Sequence, residues 1–324
     1  ANEWRDLGLP SVADKVVQAA LLYVVEPIAE RMFLDCSYAY RPGKGHYKAI
    51  RRVEHSLNNR KMAWAVQRDI DNFFDTINHQ RLIEQFSKLV NGEPVMTELV
   101  ALWCRMGLVE KNGRWRNVQA GVRQGGVISP LLANLYLHPL DEYAAKLEID
   151  WIRYADDYLI VCESREKAVS SDIQIAGFLK DSLGLRLNHG EASPKHIDEG
   201  FTFLGVHFCG KERAIAPKKV EKMKRKIQWL LSQKSGGLPE EILEKLAGQV
   251  ESWHRYYGFL NPAKQFSEID CLIEKEFLNL AASKIQEGGW NLTPPKGLSF
   301  PSLITDNTRD NLKKLESFWK QAVK

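Results

Sequence analysis

Hydrophobic and polar positions along the chain fall into two regimes. The first mixes helical and strand patterns. From about Val16 to Phe33 the run VVQAALLYVVEPIAERMF is largely apolar over a helical length. A loop rich in Gly and Pro, CSYAYRPGKGHYKAI, leads into a second helix near residues 46–59. MAWAVQRDIDNFF has the apolar density of a strand. INHQRLIEQFSKLV reads as a helix, because Ile77, Leu82, Ile83, Phe86 and Leu89 recur at helical spacing. ELVALWCRMGLVE is a further helix. GRWRNVQAGVRQGG is hairpin-like, with turn residues at Lys111-Asn112-Gly113. SPLLANLYLHPLDEYAAKL predicts a helix with Pro130 in its first turn, where a missing N–H is harmless. WIRYADDYLIVCE reads as a strand, followed by a helix near 165–183 and short strands at LRLN, FTFLGVHFCG and RAIAP.

The second regime begins after Pro217. Residues 218–232 and 238–260 are amphipathic helices separated by KSGGLP, and a third helical stretch covers roughly 264–287. The pattern predicts an α+β segment over residues 1–216 and a helical one over 217–324. Hairpins rather than regular βαβ units surround the strand at 151–163, so antiparallel pairing is expected in the first segment.

Composition narrows the class. At 324 residues, with 44% apolar and 27% charged side chains, the chain is in the range of soluble globular proteins with a full core. No run approaches the ~20 apolar residues of a membrane helix. The opening ANEWRDLGLP lacks the basic stretch and apolar core of a secretory signal, and its start on Ala1 rather than Met fits a piece of a longer chain. The 5 cysteines are scattered with no C-x-x-C pair, which argues against zinc or a disulfide framework and for a reducing, intracellular setting.

The net charge of +4 does not by itself identify a partner, but its distribution is informative. In PKKVEKMKRKIQWLL, Val220, Met223, Ile227 and Leu230 share one helical face. Lys218, Lys219, Lys222, Lys224, Arg225 and Lys226 crowd the rest, opposed only by Glu221. Such a face suits nucleic-acid phosphates. Trp253, Tyr256 and Tyr257 have the spacing of core residues, whereas His254 and Arg255 are candidates to face nucleic acid.

The carboxylates carry the chemistry. RYADDYLIV places Asp156 and Asp157 inside a run that otherwise reads as a buried strand, and Asp69 ends a second apolar strand. Adjacent carboxylates repel, and burying an unpaired ion costs several kcal/mol, on the order of the penalties known for real buried charges. One reading is that Asp69 terminates its strand while Asp156 and Asp157 form a hairpin turn. The other is that the two strands lie side by side and share divalent cations. Mg²⁺ prefers hard oxygen ligands and keeps several waters, so two or three carboxylates plus substrate phosphates suffice. Two ions ~3.5–4 Å apart can stabilise the attacking and leaving oxygens of a phosphoryl transfer. The occurrence of both acidic segments favours the shared cations. Asp71 alternates onto the face of Asp69 but lies toward the bend and is not taken as a ligand. Asp75 is expected to cap the helix of TINHQRLIEQF.

These segments also carry a resemblance. YADD at 154–157, RDIDNFFDTINH at 68–79 and RQGGVISPLLANLYL at 123–137 resemble the central motifs of reverse transcriptases, in wording similar to bacterial group II intron-type enzymes. LGLPSVADKVVQAALLYVVEPIAERMF and SYAYRPGKGHYKAI resemble the fingers motifs of that family. EGFTFLGVHF resembles its last palm motif, and WHRYYGFLNP its maturase-like thumb. The likeness spans nearly the whole chain in the family's order.

The resemblance implies a right-hand polymerase, with fingers and an antiparallel-sheet palm over 1–216 and an all-α thumb over 217–324. It implies an RNA-directed DNA polymerase in the bacterial cytoplasm, with no membrane partner. Such an enzyme extends a DNA or RNA primer on an RNA template with dNTPs, using two Mg²⁺ ions for which Mn²⁺ can substitute. The primer 3′-hydroxyl attacks the α-phosphorus, and catalysis is mostly positioning and charge stabilisation. The family's catalytic aspartates fall on Asp69, Asp156 and Asp157, with the Ile70 carbonyl as a further metal ligand. Phe74 falls where the family places an aromatic under the sugar to exclude a 2′-hydroxyl, and one of Phe73 and Phe74 is expected in the core. Gln124 and Gly125 fall against the incoming nucleotide. Arg5 and Lys15 are candidates for its triphosphate through charge-assisted hydrogen bonds. Arg41 and Lys44 of RPGK suit template phosphates, and Lys218, Lys219, Lys222, Lys226 and Arg255 suit the thumb's nucleic-acid face.

One departure stands out. In NHGEASPKH, Glu191 occupies the place where the family often has a lysine for protonating the pyrophosphate, leaving Lys195 or His196 as substitutes. No nuclease motif or cysteine cluster follows residue 287. That leans the biological setting from intron mobility toward defence or toward a CRISPR adaptation integrase, fused or associated. Two rival functions are a noncatalytic RNA-binding or splicing cofactor, opposed by the intact aspartates, and an RNA-dependent RNA polymerase, opposed by Phe74.

Overall fold

Ser11 starts α1 (Val12–Met32) four residues before the apolar run, because its hydroxyl accepts the Asp14 N–H at 3.1 Å. The structure, a computed structural model, describes residues 8–58, 62–109, 113–116, 118–188, 193–232 and 240–288. It divides into two units, Ala1–Leu204 with Cys209–Lys211, and Gly205–Phe208 with Glu212–Lys324. Among the described residues no helix is long and apolar enough to cross a membrane.

In the first unit α2 (His46–Asn58) precedes β1 (Trp64–Asp69). The short α3 (Phe73–Thr76), α4 (His79–Leu89) and α5 (Pro94–Arg105) follow. β2 (Leu108–Val109) and β3 (Trp115–Arg116) form a small hairpin. Next come α6 (Ser129–Ala144), β4 (Asp150–Tyr154), β5 (Asp157–Cys162) and α7 (Arg165–Phe178). α7 continues as a π-helical turn, Leu179–Leu183, which ends at Gly184 with φ 69°. β6 (Lys195–His196) and β7 (Phe201–Phe203) complete this part of the chain.

The sheet that matters has the order β4-β5-β1-β6, antiparallel throughout. Alternation sorts its side chains. Val66, Ile70, Tyr158, Ile160, Cys162 and Trp151 join the main core with α4, α6 and α7. α6 is almost wholly buried, which its near-continuous apolar sequence requires.

The strand at 62–74 is shorter than its apolar run, with Asp69 as its last residue. The chain bends through Asn72, at φ 45°, into α3. This corrects the role expected of Asp75. It lies inside α3, and the next helix is capped by Asn78, whose side chain accepts the Arg81 N–H at 3.0 Å. The intervening Ile77 is fully buried and non-helical, so α4 starts beyond it. LRLN forms a single bridge, Ile70 with Leu187, instead of a strand.

The second unit holds all but the last residue of β8 (Val206–Cys209), with β9 (Glu212–Ile215), α8 (Pro217–Leu231), α9 (Glu240–Tyr257) and α10 (Ala263–Gly288). Val220, Met223, Ile227 and Leu230 of α8 are all buried, the face read from their spacing.

Candidate active site

Two antiparallel strands bring the acidic segments together. β1 and β5 pair in a register that sets Asp69 opposite Asp157, and the Ile70 N–H donates to the Asp156 carbonyl at 3.2 Å. β4 and β5 close on Tyr154 and Asp157, leaving only Ala155 and Asp156 as the turn. Ala155 sits in the left-handed region at φ 56°. The acidic pair is therefore both at a hairpin turn and beside Asp69, so the turn of one reading and the strand pairing of the other occur together. The apolar residues of β5 are buried, while Asp69, Asp156 and Asp157 are only half-buried at the strand ends.

Two carboxamides hold the acids. Gln67 Nε2 donates to Asp157 Oδ1 at 2.8 Å, and Asn188 Nδ2 donates to Asp69 Oδ2 at 2.8 Å. The Asn188 N–H also donates to the Asp69 carbonyl at 3.0 Å. Burial pushes the Asp157 carboxyl up to about 7; the Gln67 hydrogen bond opposes this, while the negative charges of Asp69 and Asp156 add to it. Among the described residues no group of three or more His, Cys, Asp or Glu side chains is arranged to hold a metal ion by itself. A hard divalent cation that keeps its waters and binds substrate phosphates does not require such a cage. Half-exposed, mutually repelling carboxylate oxygens on adjacent strand ends fit such a cation chemically.

Behind the turn, on the core face of β4, Arg153 is fully buried. Its Nε and Nη2 donate to the two oxygens of buried Asp141 at 2.8 and 2.6 Å. Nη1 donates to the Ala155 carbonyl at 3.0 Å and to Asn134 Oδ1 at 3.1 Å, and Nη2 to Ser37 Oγ at 2.8 Å. Burial works against the Arg153 charge, but Asp141 more than offsets it and raises the pKa.

The loop before α6 packs onto α3. The Val122 N–H donates to the Phe74 carbonyl at 2.7 Å and the Gly121 N–H to the Ile77 carbonyl at 2.8 Å. Phe73 is in the core and Phe74 is half-buried against it. Gln124 is half-buried, and its carbonyl accepts the Gly8 N–H at 2.9 Å. At Gly125, φ is 111° and an added Cβ would lie 2.7 Å from the Gly8 carbonyl, so only glycine fits. Buried Gln18 accepts the Val127 N–H at 2.8 Å. Lys15 is exposed in the first turn of α1, while Arg5 lies outside the described residues.

Arg41 does not serve as expected. Its side chain is buried, gripping Glu30 at 2.9 Å and donating to the carbonyls of Leu34 and Ser37 at 2.6 and 3.0 Å. These are carbonyls just past the end of α1, so the guanidinium closes the loop that follows α1 and is not exposed on the surface. Lys44 stays near the surface, paired with exposed Asp35 at 2.7 Å.

In the second unit Lys218, Lys219, Lys222, Arg225 and Lys226 are exposed, as is Arg255. Lys226 donates to Gln249 at 2.6 Å, and Lys224 pairs with Glu221 and Glu268 at 3.2 and 3.5 Å. Tyr257 is buried against Trp253 and Tyr256. Glu191 lies outside the described residues. Lys195 is exposed, and His196 lies edge-on to Trp64 with ring centroids 5.4 Å apart.

Gln67, Asn188, Arg153 and Asp141 are the residues that motif reading missed. Only Arg153 left a trace, as a charge next to the apolar Trp151-Ile152; Asp141 adjoins Glu142 and looks like part of a polar helix end.

Beside this pairing of acidic strand ends, residues 1–208 match the family described as reverse transcriptase (RNA-dependent DNA polymerase). Residues 220–293 match the group II intron, maturase-specific domain. The chain belongs to the reverse transcriptase family and is of its group II intron type. Protein YkfC of Escherichia coli (strain K12) is 30% identical over 240 residues, covering 62% of each chain. Group II intron-encoded protein LtrA of Lactococcus lactis subsp. cremoris is 32% identical over 153 residues, 47% of this chain and 25% of LtrA. The chain thus spans less than two thirds of the length of either relative. Apo telomerase from Candida tropicalis shares the fold, at a TM-score of 0.51 and 10% identity over 95% of this chain and 59% of that one.

Proposed function

We propose that the chain is an RNA-directed DNA polymerase, extending a primer on an RNA template with dNTPs. The observation that carries this reading is the register that sets Asp69 opposite Asp157 with Asp156 in the adjoining turn. Asp69, Asp156, Asp157 and the Ile70 carbonyl would hold two divalent cations, Mg²⁺ or Mn²⁺. When bound, these ions supply charge neutralisation at the α-phosphate and activation of the primer hydroxyl.

The chain's own residues do the rest. Asn188 and Gln67 hold the Asp69 and Asp157 carboxylates in fixed directions. Phe74, backed by Phe73, offers a rigid edge against a ribose 2′-hydroxyl. Gln124 and Gly125 lie against the incoming nucleotide, on a loop whose missing Cβ lets the Gly8 backbone pack close. Lys15 and Arg5 serve the triphosphate, and Lys44 serves the template. In this reading 1–216 is fingers and palm and 217–324 is thumb, whose Lys218, Lys219, Lys222, Lys226 and Arg255 follow the duplex backbone.

A second reading has its own support. The maturase-specific match over 220–293 favours an RNA-binding, splicing role on the same scaffold, alongside or instead of synthesis. It also favours an intron-type setting; a CRISPR-associated or defence role, with an integrase partner, would require association with that partner.

Primer extension on an RNA template, with dNTPs against NTPs, tests the proposal. The expected result is extension with dNTPs only, lost in Asp156→Ala. Equal extension by the wild type and Asp156→Ala would remove the catalytic reading, and RNA binding without any extension would leave the splicing one.

A further inference from the structure

The Ala155–Asp156 turn has to hold a non-glycine residue in the left-handed region while presenting a carboxylate beside two others. Backbone preference and charge repulsion both act against that conformation. Something must over-determine it. On the solvent side Gln67 reaches Asp157 and the Ile70 N–H reaches the Asp156 carbonyl. Ala155 itself is reached by Arg153 Nη1, which donates to its carbonyl at 3.0 Å.

We infer that Arg153 is a positioning residue for Asp156, and that Asp141, Asn134 and Ser37 exist to aim its guanidinium at the Ala155 carbonyl. The geometry is specific. Asp141 takes Nε and Nη2 in a fork, which fixes the plane of the guanidinium. Trp151 Nε1 donates to Asp141 Oδ1 at 2.9 Å, so the carboxylate is itself held. Asn134 is oriented by donating to the Ala39 carbonyl at 2.8 Å. Ser37 forms a bridge with Arg153 through the backbone as well as the side-chain bond. The Tyr38 N–H donates to the Arg153 carbonyl at 2.9 Å and the Arg153 N–H to the Cys36 carbonyl at 2.8 Å. Residues 36–39, the centre of α6 and the end of β4 thus meet at one side chain directly beneath the acidic turn. An ion pair needed only for packing could be replaced by apolar residues of similar volume at little cost. Here the Ala155 carbonyl would then lose its donor.

The inference rests on the polymerase reading, and the experiment separates the two. Arg153→Met/Asp141→Leu removes the pair without leaving a lone charge. Arg153→Lys keeps the charge but cannot serve Asp141 in a fork and Ala155 together. Each full-length variant is measured for cooperative thermal unfolding, kcat and dNTP KM in primer extension, and Mn²⁺ binding by the electron paramagnetic resonance of free Mn²⁺. In every variant that unfolds cooperatively, kcat should fall at least tenfold with KM within twofold, and Mn²⁺ should bind several-fold more weakly. A cooperatively folded variant that keeps kcat and Mn²⁺ binding within twofold of wild type overturns the inference, because the network would then serve only the fold. If the wild type neither extends primers nor binds Mn²⁺ more tightly than Asp156→Ala, it is the polymerase reading that fails.

Discussion

On the core face of the β4–β5 hairpin Arg153 is wholly buried, and beside the other face Asp157 stands half-buried near two more carboxylates. The buried side has one charge of each sign, with both Asp141 oxygens and the guanidinium nitrogens satisfied by short hydrogen bonds. The open side gathers three carboxyl groups, of which Asp157 and Asp69 each accept from one carboxamide. Solvent exposure alone would suggest that the buried side is the costly one. The comparison teaches the reverse. Pairing decides whether a charge is tolerated, and in the less buried cluster like charges raise the Asp157 carboxyl further.

The sharpest way to break the comparison is to remove one charge from each face. Asp156→Ala should lower primer extension by about a thousandfold or more, roughly 4 kcal/mol of barrier, yet leave the thermal midpoint unchanged or higher. A clear fall in the midpoint would show that the open face is a stabilising element after all. Asp141→Ala should do the opposite, stranding a buried guanidinium at a cost of about 3–5 kcal/mol in chemical denaturation. A loss below ~1 kcal/mol would mean that water reaches Arg153 and that the two faces do not differ.

A subtler probe is pH. Asp157 is pushed up to about 7, above its value of ~3.9 in an unfolded chain, so between those limits the folded state holds the extra proton. Stability in metal-free buffer should therefore fall as pH rises from about 4 to about 7, by ~1–2 kcal/mol at this half-buried carboxyl. Asp157→Asn should flatten the profile; an unchanged profile would locate the titration elsewhere. The smallest effect should come from Ala155→Gly. Relief of the left-handed penalty, ~1–2 kcal/mol, is partly cancelled by the entropy of an unfolded glycine, leaving a gain of about 0.5 kcal/mol. A loss instead would show that the Ala155 methyl packs usefully.

Much of this was legible in the sequence, for a definite reason. Period-two and period-3.6 patterns record burial, so the face of α8 and the strands bearing Asp69 and Asp157 could be read directly. Bends and caps are set by single residues, and here sequence failed locally: Asp75 and Asn78 are both good caps, and only the burial of Ile77 decides between them. Arg41 was misassigned because a basic residue in a Gly-rich loop looks the same whether it faces phosphate or closes on Glu30. The supporting network was invisible for another reason. Arg153 and Asp141 are 12 residues apart, on a strand and a helix whose packing no local pattern encodes.

The two-residue turn between Tyr154 and Asp157 has a consequence for how such a chain can diverge. A ladder with side chains alternating between faces works as a ruler with two marks. One residue inserted in β5 beyond the turn would send Tyr158, Ile160 and Cys162 outward and break their core, and one inserted in the turn would lift Asp156 away from the Arg153 clamp. Length variation is therefore excluded from this segment while remaining open to surface loops. In a lineage of relatives, the spacing from Arg153 to Asp157 should stay constant even where the surrounding residues do not.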